Sequence, residues 1–354
     1  MNQYLLLTFI INTFCFSFVH AQNKTKVIHS SDAGADDYVT TCVLALEESV
    51  DVKAIIITNA DCIPEYGLSA YGKLVSFLNQ AIPYGLSASR TWNQFPWHWR
   101  EDTIRVHEIP CLAPFEHIQP ELIFDGNPLF IETLESSQES EIAIIATGPL
   151  TTLSDILKNH PHLKSKISAL YWMGGAINVP GNITDAPINK KALNDKAEWN
   201  VFADAFAADW IFNNTTFDIF LVPLDVTNYA KITPNFLDEL RKQKESGLLS
   251  AEFILSAYQA VCDLELYYMW DVVTAVVFTH PEFFEEPVLK RLKVRTEQAD
   301  HGVIISDDEG RDVHVYFRFK NDDVTPFHQY ILDLAATKLY PSELKNWSLA
   351  SPES

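Results

Sequence analysis

A segment near the N-terminus places three carboxylates within six residues, in the sequence Ser31-Asp32-Ala33-Gly34-Ala35-Asp36-Asp37. It follows a short apolar run and opens a stretch whose apolar residues recur at helical spacing. One acid at a helix N-terminus caps free backbone N–H groups and complements the helix dipole, but capping does not require three. Three carboxylates this close repel one another unless a cation lies among them, and such oxygen ligands suit Ca²⁺ or Mg²⁺. We therefore predict a metal site here, with plain helix capping as the alternative.

Further polar groups follow other apolar runs along the chain. They are Asn59-Ala60-Asp61, Thr147 to Thr151, Met173 to Gly175, Asn182, Glu198 and Asn200. Each group alone is weak evidence, because an Asn beside a glycine usually marks only a turn. In a parallel sheet, however, ligands bind beyond the carboxyl ends of the strands. The repeated placement of polar groups after successive strands therefore indicates one binding site at a single edge of the sheet.

The elements that must position these groups alternate between strand and helix. Short apolar runs predict buried strands over Lys26 to Ser30, Val52 to Thr58, Ile142 to Ala146, Ala169 to Met173 and Phe217 to Leu221. Helical spacing lies between them, over Asp36 to Glu47, Glu65 to Leu78, Thr151 to Asn159 and Asp204 to Phe212. This alternation predicts an α/β fold with a single open, mostly parallel, doubly wound (Rossmann-like) sheet and helices on both faces. The strand-like segment Leu292 to Phe319 and a helix over Phe327 to Leu339 are expected to close this fold rather than form a second domain.

Composition and charge limit the partners of the protein. Of its 354 residues, 47% are apolar and 21% are charged, which is typical of a globular chain. The 47 acidic residues outnumber the 26 basic ones, and the formal net charge is −21. A surface this acidic repels phosphate backbones and anionic lipid headgroups. A nucleic-acid polymer is therefore not expected as a partner, whereas neutral metabolites and cations are.

The first 21 residues have the features of a signal peptide. Residues Met1 to Ala21 contain no Asp, Glu, Lys or Arg, are rich in apolar residues, and end with Val19-His20-Ala21. We expect cleavage after Ala21 and an exported protein, periplasmic or secreted, with residues 22–354 as one domain; an uncleaved anchor or a buried helix is the alternative. Later segments do not approach the ~20 apolar residues of a membrane span, so no membrane association is expected after cleavage.

Six short motifs resemble those of one enzyme family, in the same order and across nearly the whole mature chain. They are Asp32-Ala33-Gly34-Ala35-Asp36-Asp37, Ala146-Thr147-Gly148-Pro149-Leu150-Thr151, Met173-Gly174-Gly175-Ala176, Gly181-Asn182, Ala197-Glu198-Trp199-Asn200 and Trp270-Asp271. The family is that of the nucleoside hydrolases, the inosine-uridine preferring superfamily. The resemblance implies a Ca²⁺-dependent N-ribohydrolase that cleaves a ribonucleoside to ribose and free base, and a homo-oligomeric assembly.

The resemblance also implies a role for each matching residue. The Ca²⁺ ion would be held by Asp32, Asp37, the backbone carbonyl of Thr147 and Asp271, and Asp32 would take a proton from the attacking water. The ribose hydroxyls would be bound by Asp36, Asn182, Glu198 and Asn200, with Met173 lining the sugar site. Glycoside cleavage passes through an oxocarbenium-like state, so hydrogen bonds to the diol and a nearby cation would position the reactants and stabilise charge.

The residues of the expected base pocket resemble the purine-preferring branch, the inosine-adenosine-guanosine hydrolases. The nonspecific branch carries a His before the last metal-ligand Asp as general acid, and this chain has Trp270 there. The resemblance places the base between the indoles of Trp99 and Trp270, with Asp61 approaching it; Trp92 or Trp97 could replace Trp99. Stacking is worth about 1–3 kcal/mol per base and favours a protonated purine, which can leave without a side-chain acid. Trp270 as an ordinary core aromatic is the alternative.

Two other functions remain open from the sequence. One is a broader or pyrimidine-preferring ribonucleoside hydrolase, against which Trp270 in place of the histidine argues. The other is a non-catalytic exported protein that binds nucleosides without cleaving them. The retention of Asp32 argues against the second, because a binding protein does not need a carboxylate that activates water.

Overall fold

A single ten-stranded sheet organises the protein in the computed structural model, which describes residues 24–60, 63–95, 101–115, 120–183, 193–261, 267–337 and 339. The strands are β1 (Thr25–Ser31), β2 (Val50–Asn59), β3 (Tyr84–Arg90), β4 (Ile123–Asp125), β5 (Ile142–Ala146), β6 (Ile167–Met173), β7 (Asp218–Val222), β8 (Val288–Val294), β9 (Ile304–Ser306) and β10 (Arg311–Val315). The α-helices are α1 (Ala35–Leu46), α2 (Pro64–Phe77), α3 (Asp102–His107), α4 (Gly126–Glu135), α5 (Thr151–Asn159), α6 (Trp199–Ala203), α7 (Ala205–Asn214), α8 (Leu224–Thr227), α9 (Pro234–Glu245), α10 (Leu249–Val261), α11 (Trp270–Thr279) and α12 (Thr325–Ala335).

The order of the strands places a topological switch point at the centre of the sheet. The order is β4-β3-β2-β1-β5-β6-β7-β10-β8-β9, and each pair from β4 to β10 is parallel. From β1 the chain first builds outward through β2 to β4, and then returns to β5 on the other side of β1. The loops after β1 and β5 therefore leave the sheet in diverging directions and open a crevice between them.

Helices cover both faces of the sheet, and each face has its own hydrophobic core. Successive side chains of a strand point to opposite faces. Val27 and Ile55 accordingly belong to the core under α1, α10 and α11, whereas Ile28 and Ile56 belong to the core under α5 and α7. The strands are apolar on both faces for this reason. The predicted doubly wound α/β fold is confirmed.

The C-terminal strands extend the same sheet. β10 pairs in parallel with β7, and β8 and β9 follow in antiparallel order. β3 and β4 were not predicted, because β3 has the sequence Tyr-Gly-Leu-Ser-Ala-Ser-Arg, which has few apolar residues. Gly85 permits the pairing of these two strands, since a Cβ there would lie 2.4 Å from the carbonyl oxygen of Phe124. Over the ranges given above, none of the helices combines the length and the apolar character needed to cross a membrane.

Candidate functional site: an acidic cluster beside a Glu198 network

The loop after β1 brings Asp32 to the switch point. Asp32 is buried, and the loop after β5 packs directly against it. This approach requires a glycine, because a Cβ on Gly148 would lie 2.7 Å from the Cβ of Asp32. Ala33 then adopts a left-handed backbone with φ of 63°, and its N–H donates to Ser31 Oγ at 2.9 Å. A left-handed alanine is strained by about 1–2 kcal/mol, so the surrounding contacts fix this turn.

Three buried carboxylates from two helices form what we call the acidic cluster: Asp36, Asp37 and Asp271. Each residue contributes one carboxylate oxygen, and these three oxygens all lie within 4.8 Å of one another. Asp36 and Asp37 stand in the first turn of α1, and Asp271 stands in the first turn of α11. The positive ends of two helix dipoles therefore meet at the cluster and partly offset its negative charge.

Asp36 lies at the contact between the two helices. Its Oδ2 accepts a hydrogen bond from the backbone N–H of Asp271 at 3.1 Å, and its Oδ1 accepts from the Tyr267 hydroxyl at 3.2 Å. Burial, and then the charge of Asp37, raise the pKa of Asp36 to about 7. Burial and the charges of the neighbouring aspartates, Asp36 first, also raise the pKa of Asp271 well above its usual value.

Asp37 connects the start of α1 to the loop after β5. Its Oδ2 accepts from the Gly34 N–H at 2.8 Å, and its Oδ1 accepts from Thr147 Oγ1 at 2.5 Å. Asp37 therefore has the capping role that a helix-terminal acid often has. Asp36 has a similar role at the start of α11, through the Asp271 N–H, but capping does not account for the carboxylate of Asp271.

The donor set fits a hard divalent cation. All three ligand candidates are carboxylate oxygens, which suit Ca²⁺ or Mg²⁺ rather than the nitrogen and sulfur sites of zinc. The raised pKa values of Asp36 and Asp271 reflect burial together with mutual repulsion, and a cation among these oxygens would relieve the repulsion. The family resemblance implied Asp37 and Asp271 as ligands, together with the adjacent Asp32 and the Thr147 carbonyl.

The structure groups these residues differently in one respect. Asp36, predicted to bind ribose, lies inside the acidic cluster, whereas Asp32 lies beside it. The charge of Asp32 also raises the pKa of Asp271, but less than burial and the charges of Asp36 and Asp37 do. The Thr147 carbonyl accepts a hydrogen bond from Asn200 Nδ2 at 3.0 Å. Thr147 thus connects the acidic cluster to the residues predicted to bind the sugar.

Glu198 is the centre of a second network, which we call the Glu198 network and which also includes Asn200, Met173 and Asn182. Glu198 caps the N-terminus of α6: Oε1 accepts from the Asn200 N–H at 2.9 Å, and Oε2 accepts from the N–H groups of Gly175 at 2.9 Å and Val201 at 3.3 Å. Burial raises the pKa of Glu198 to about 7, although these donors act in the opposite direction.

Asn200 ties the rest of this network together. Its Nδ2 contacts the Met173 carbonyl at 3.1 Å and Met173 Sδ at 3.4 Å, in addition to the Thr147 carbonyl. Asn182 Oδ1 accepts from the backbone N–H of Trp199 at 3.0 Å, which holds the loop before residue 184 against α6. The four residues predicted to form much of the sugar site are therefore brought together by hydrogen bonds.

Trp270 adjoins both groups. It precedes Asp271 at the start of α11, is half-buried, and packs against the small core of Met173, Ala176 and Leu224. Its Nε1 donates to Asn228 Oδ1 at 3.1 Å, and its ring meets that of Tyr267 at 5.0 Å. Trp270 is thus close to the residues predicted to bind the sugar, as a base-stacking residue would be.

The rest of the predicted base pocket is only partly described. Asp61, Trp99 and the alternative Trp97 lie outside the described residues. Trp92 is 69% exposed and packs edge-on against Phe206, where it lines a cavity of about 550 Å³.

Three residues near the site were missed from the sequence. The Tyr267 hydroxyl donates a hydrogen bond to Asp36. Asp102 stands at the start of α3, and its pKa is raised to about 7, mainly by burial and in smaller part by the charge of Asp36. His29, in the middle of β1, is completely buried and contacts Thr147. Only His29 had a visible signal, as a polar residue inside an apolar run. Burial lowers the pKa of His29 to about 4, against the opposing charge of Asp37.

Comparison with known proteins agrees with this geometry. The family model of the inosine-uridine preferring nucleoside hydrolases matches residues 27–328. The chain belongs to this family. A nucleoside hydrolase is a glycosidase that acts on N-glycosyl compounds, so the protein is an enzyme of this class. The family is metal-dependent, which accords with the acidic cluster.

Individual nucleoside hydrolases resemble this chain over nearly their full length. The non-specific ribonucleoside hydrolase RihC of Escherichia coli O139:H28 is 25% identical over 319 residues, which cover 88% of this chain and 99% of that protein. The structure of an inosine-uridine preferring nucleoside hydrolase from Bacillus anthracis has a TM-score of 0.78 at 28% identity, covering 88% of this chain and 99% of its own. A purine-preferring ribonucleoside hydrolase from Gardnerella vaginalis shares the fold, with a TM-score of 0.68 at 19% identity and coverage of 88% and 99%.

Proposed function

We propose that this nucleoside hydrolase is Ca²⁺-dependent and cleaves the N-glycosidic bond of purine ribonucleosides to give ribose and free base. The observation that supports this most strongly is the joint position of the acidic cluster, the Glu198 network and Trp270 beyond the carboxyl ends of neighbouring strands. The acidic cluster is suited to a cation and the Glu198 network to a sugar, and Trp270 offers an aromatic face to a base.

In the proposed mechanism Asp32, Asp37, Asp271 and the Thr147 carbonyl would hold the cation, with Asp36 packed against them. When bound, Ca²⁺ would supply positive charge that lowers the pKa of a neighbouring water. The Asp32 carboxylate would accept a proton from the attacking water, because it is buried next to the cluster.

The Glu198 network orients the sugar. The two oxygens of Glu198 accept three backbone N–H groups, which fix the carboxylate beside Asn200 and Met173, where it would accept from a ribose hydroxyl. Fixed acceptors of this kind align the diol and stabilise the oxocarbenium-like transition state.

Trp270 supports the preference for purines. Its half-buried indole packs against Met173, which is proposed to line the sugar site, so a base joined to that sugar would lie beside the ring. A purine presents a larger π-face than a pyrimidine, and stacking stabilises a protonated ring as it leaves. The main alternative is broad specificity, as the name of the E. coli relative states for that protein.

The test is release of free base from inosine, adenosine, guanosine, uridine and cytidine by the metal-free protein, with Ca²⁺, Mg²⁺ or no metal added. We expect Ca²⁺-restored cleavage of the three purine nucleosides, and at least tenfold lower kcat/KM for the two pyrimidine nucleosides. Equal rates on all five would establish broad specificity. Tight nucleoside binding without cleavage would favour the binding-protein function.

We further propose that residues 1–21 are a signal peptide, that residues 22–354 form the hydrolase domain, and that the mature enzyme is an exported homo-oligomer. Expression of the full-length chain, followed by N-terminal sequencing of the exported product, should give Gln22 as the first residue. Light scattering of that product should give a multiple of the chain mass. An intact Met1 would contradict the cleavage, and a monomer mass would contradict the assembly.

A further inference from the structure

His29 joins three elements beneath the proposed cation site. Its ring is fully buried in β1, with Nδ1 2.8 Å from Thr41 Oγ1 in α1 and Nε2 2.9 Å from Thr147 Oγ1 in the loop after β5. Thr147 Oγ1 is in turn 2.5 Å from Asp37 Oδ1. The imidazole therefore contacts Thr147, a proposed ligand residue, directly. The Thr147 hydroxyl links it to Asp37, a second proposed ligand.

The hydrogens in this chain of contacts can be assigned from donor and acceptor chemistry. A threonine hydroxyl has one hydrogen, and an ionised carboxylate only accepts. Thr147 Oγ1 therefore donates to Asp37 and accepts from His29, so Nε2 of the imidazole bears the hydrogen. In the neutral ring Nδ1 is then the acceptor, and the Thr41 hydroxyl donates to it.

This assignment gives His29 a defined effect on the site. If Nε2 did not donate, the Thr147 hydroxyl would lose one of the two contacts that orient it, and only its short bond to Asp37 would remain. Thr147 and Asp37, which both belong to the proposed cation site, would then be held less rigidly relative to each other. Hydrogen-bonded partners behind metal ligands commonly have this orienting function.

We propose that His29 is a positioning residue that holds Thr147 and Asp37 in the geometry required for cation binding. The inference rests on the proposed function, since it presumes the cation site. It concerns affinity for the cation and does not involve contact with the substrate.

The experiment measures Ca²⁺ affinity of the metal-free enzyme by calorimetry, without nucleoside. An Asn amide can take the place of Nδ1 and a Gln amide the place of Nε2, so His29→Asn keeps the contact to Thr41 and His29→Gln keeps the donor to Thr147. We expect His29→Asn to weaken Ca²⁺ binding roughly 10–100-fold and His29→Gln to recover most of the loss. The matched control is His328→Asn in α12. The His328 ring packs against Phe236 and Phe327, so this substitution should leave the Ca²⁺ affinity unchanged.

A double-mutant cycle with Thr147→Val separates positioning from general damage to the core, and thermal unfolding without metal shows which variants fold. Thr147→Val removes the hydroxyl but keeps the carbonyl, so adding His29→Asn to it should weaken binding no further than Thr147→Val alone. Additive losses, or unchanged affinity in folded His29→Asn, would overturn the positioning role while leaving the proposed function standing. If the unmodified enzyme does not bind Ca²⁺, both proposals are wrong.

Discussion

The acidic cluster and the Glu198 network are both buried carboxylate sites, but they are satisfied in different ways. Glu198 accepts three backbone N–H groups at the start of α6. The carboxylates of the acidic cluster face one another across the start of two helices, and Asp36 and Asp271 have pKa values raised by burial and by their neighbours' charge. The Glu198 carboxylate is thus held by donors from the protein itself, whereas the acidic cluster has an excess of negative charge.

This difference indicates a division of labour. A carboxylate that is fixed by backbone donors keeps its geometry whether or not a ligand is present, which suits recognition of a sugar. A group of mutually repelling carboxylates reaches its best geometry only when a cation is bound, which suits a metal site. Thr147 connects the two, because its hydroxyl contacts Asp37 and its carbonyl contacts Asn200.

The largest effect should come from substitution of Asp32, which lies beside the acidic cluster. We expect Asp32→Ala to lower kcat on inosine by about 10²–10⁴-fold, because it removes the proposed base. The fold should remain intact by circular dichroism. Normal turnover in this variant would mean that Asp32 is not the base that takes a proton from the attacking water.

A matched pair of variants should separate the two sites. Asp271→Asn should weaken Ca²⁺ binding about tenfold or more, since it removes one charge from the cation site. Glu198→Gln should leave Ca²⁺ affinity within about twofold and lower kcat/KM about 10–100-fold, as expected for the loss of a charged acceptor. If Glu198→Gln weakened Ca²⁺ binding as much as Asp271→Asn, the two sites would not be separate.

The pH dependence of stability should reveal the repulsion within the acidic cluster. The folded state raises the pKa of Asp36 from 3.8 to about 7, so the folded protein binds more protons than the unfolded chain between these values. The Asp36 contribution to the free energy of unfolding is therefore present below pH 4 and is lost as the pH rises through 7. His29, with its lowered pKa, acts in the opposite direction between about 4 and 6.5.

Comparison with Asp36→Asn isolates this contribution. Without metal, the variant should be more stable than the unmodified enzyme at pH 8, by up to a few kcal/mol, and the advantage should shrink towards pH 4. Added Ca²⁺ should reduce the advantage at pH 8. Denaturant unfolding at several pH values measures it, and a difference that does not vary with pH would argue against repulsion at Asp36.

The smallest effect should come from Trp270, which lies between the two sites. Loss of stacking in Trp270→Ala should lower kcat/KM on inosine about tenfold, the lower part of the range for one base. Inhibition by free ribose should change less than twofold, and Trp270→Phe should recover part of the loss. An equal loss for uridine and inosine would argue against a purine-selective role of the indole.

The sequence predicted much of the fold because local patterns were strong there. The apolar runs of β1, β2, β5 and β6 are buried on both faces, and the helices between them have clear helical spacing. β3 escaped prediction because its small and polar residues are held in the sheet by neighbouring strands rather than by their own hydrophobicity. Propensity in a strand depends on its neighbours in this way.

The sequence by itself determined which residue types would gather after the strands: carboxylates after β1, Thr147 after β5, and the Glu198 motif beyond β6. Only the tertiary structure decided how they group. Asp36 and Asp271 are 235 residues apart, and their contact forms because α1 and α11 begin at the same edge of the sheet. Likewise, His29 contacts Thr147 across 118 residues because β1 and β5 are neighbours at the switch point. Such contacts cannot be predicted from spacing along the chain, because they depend on strand order and on the direction in which each helix leaves the sheet.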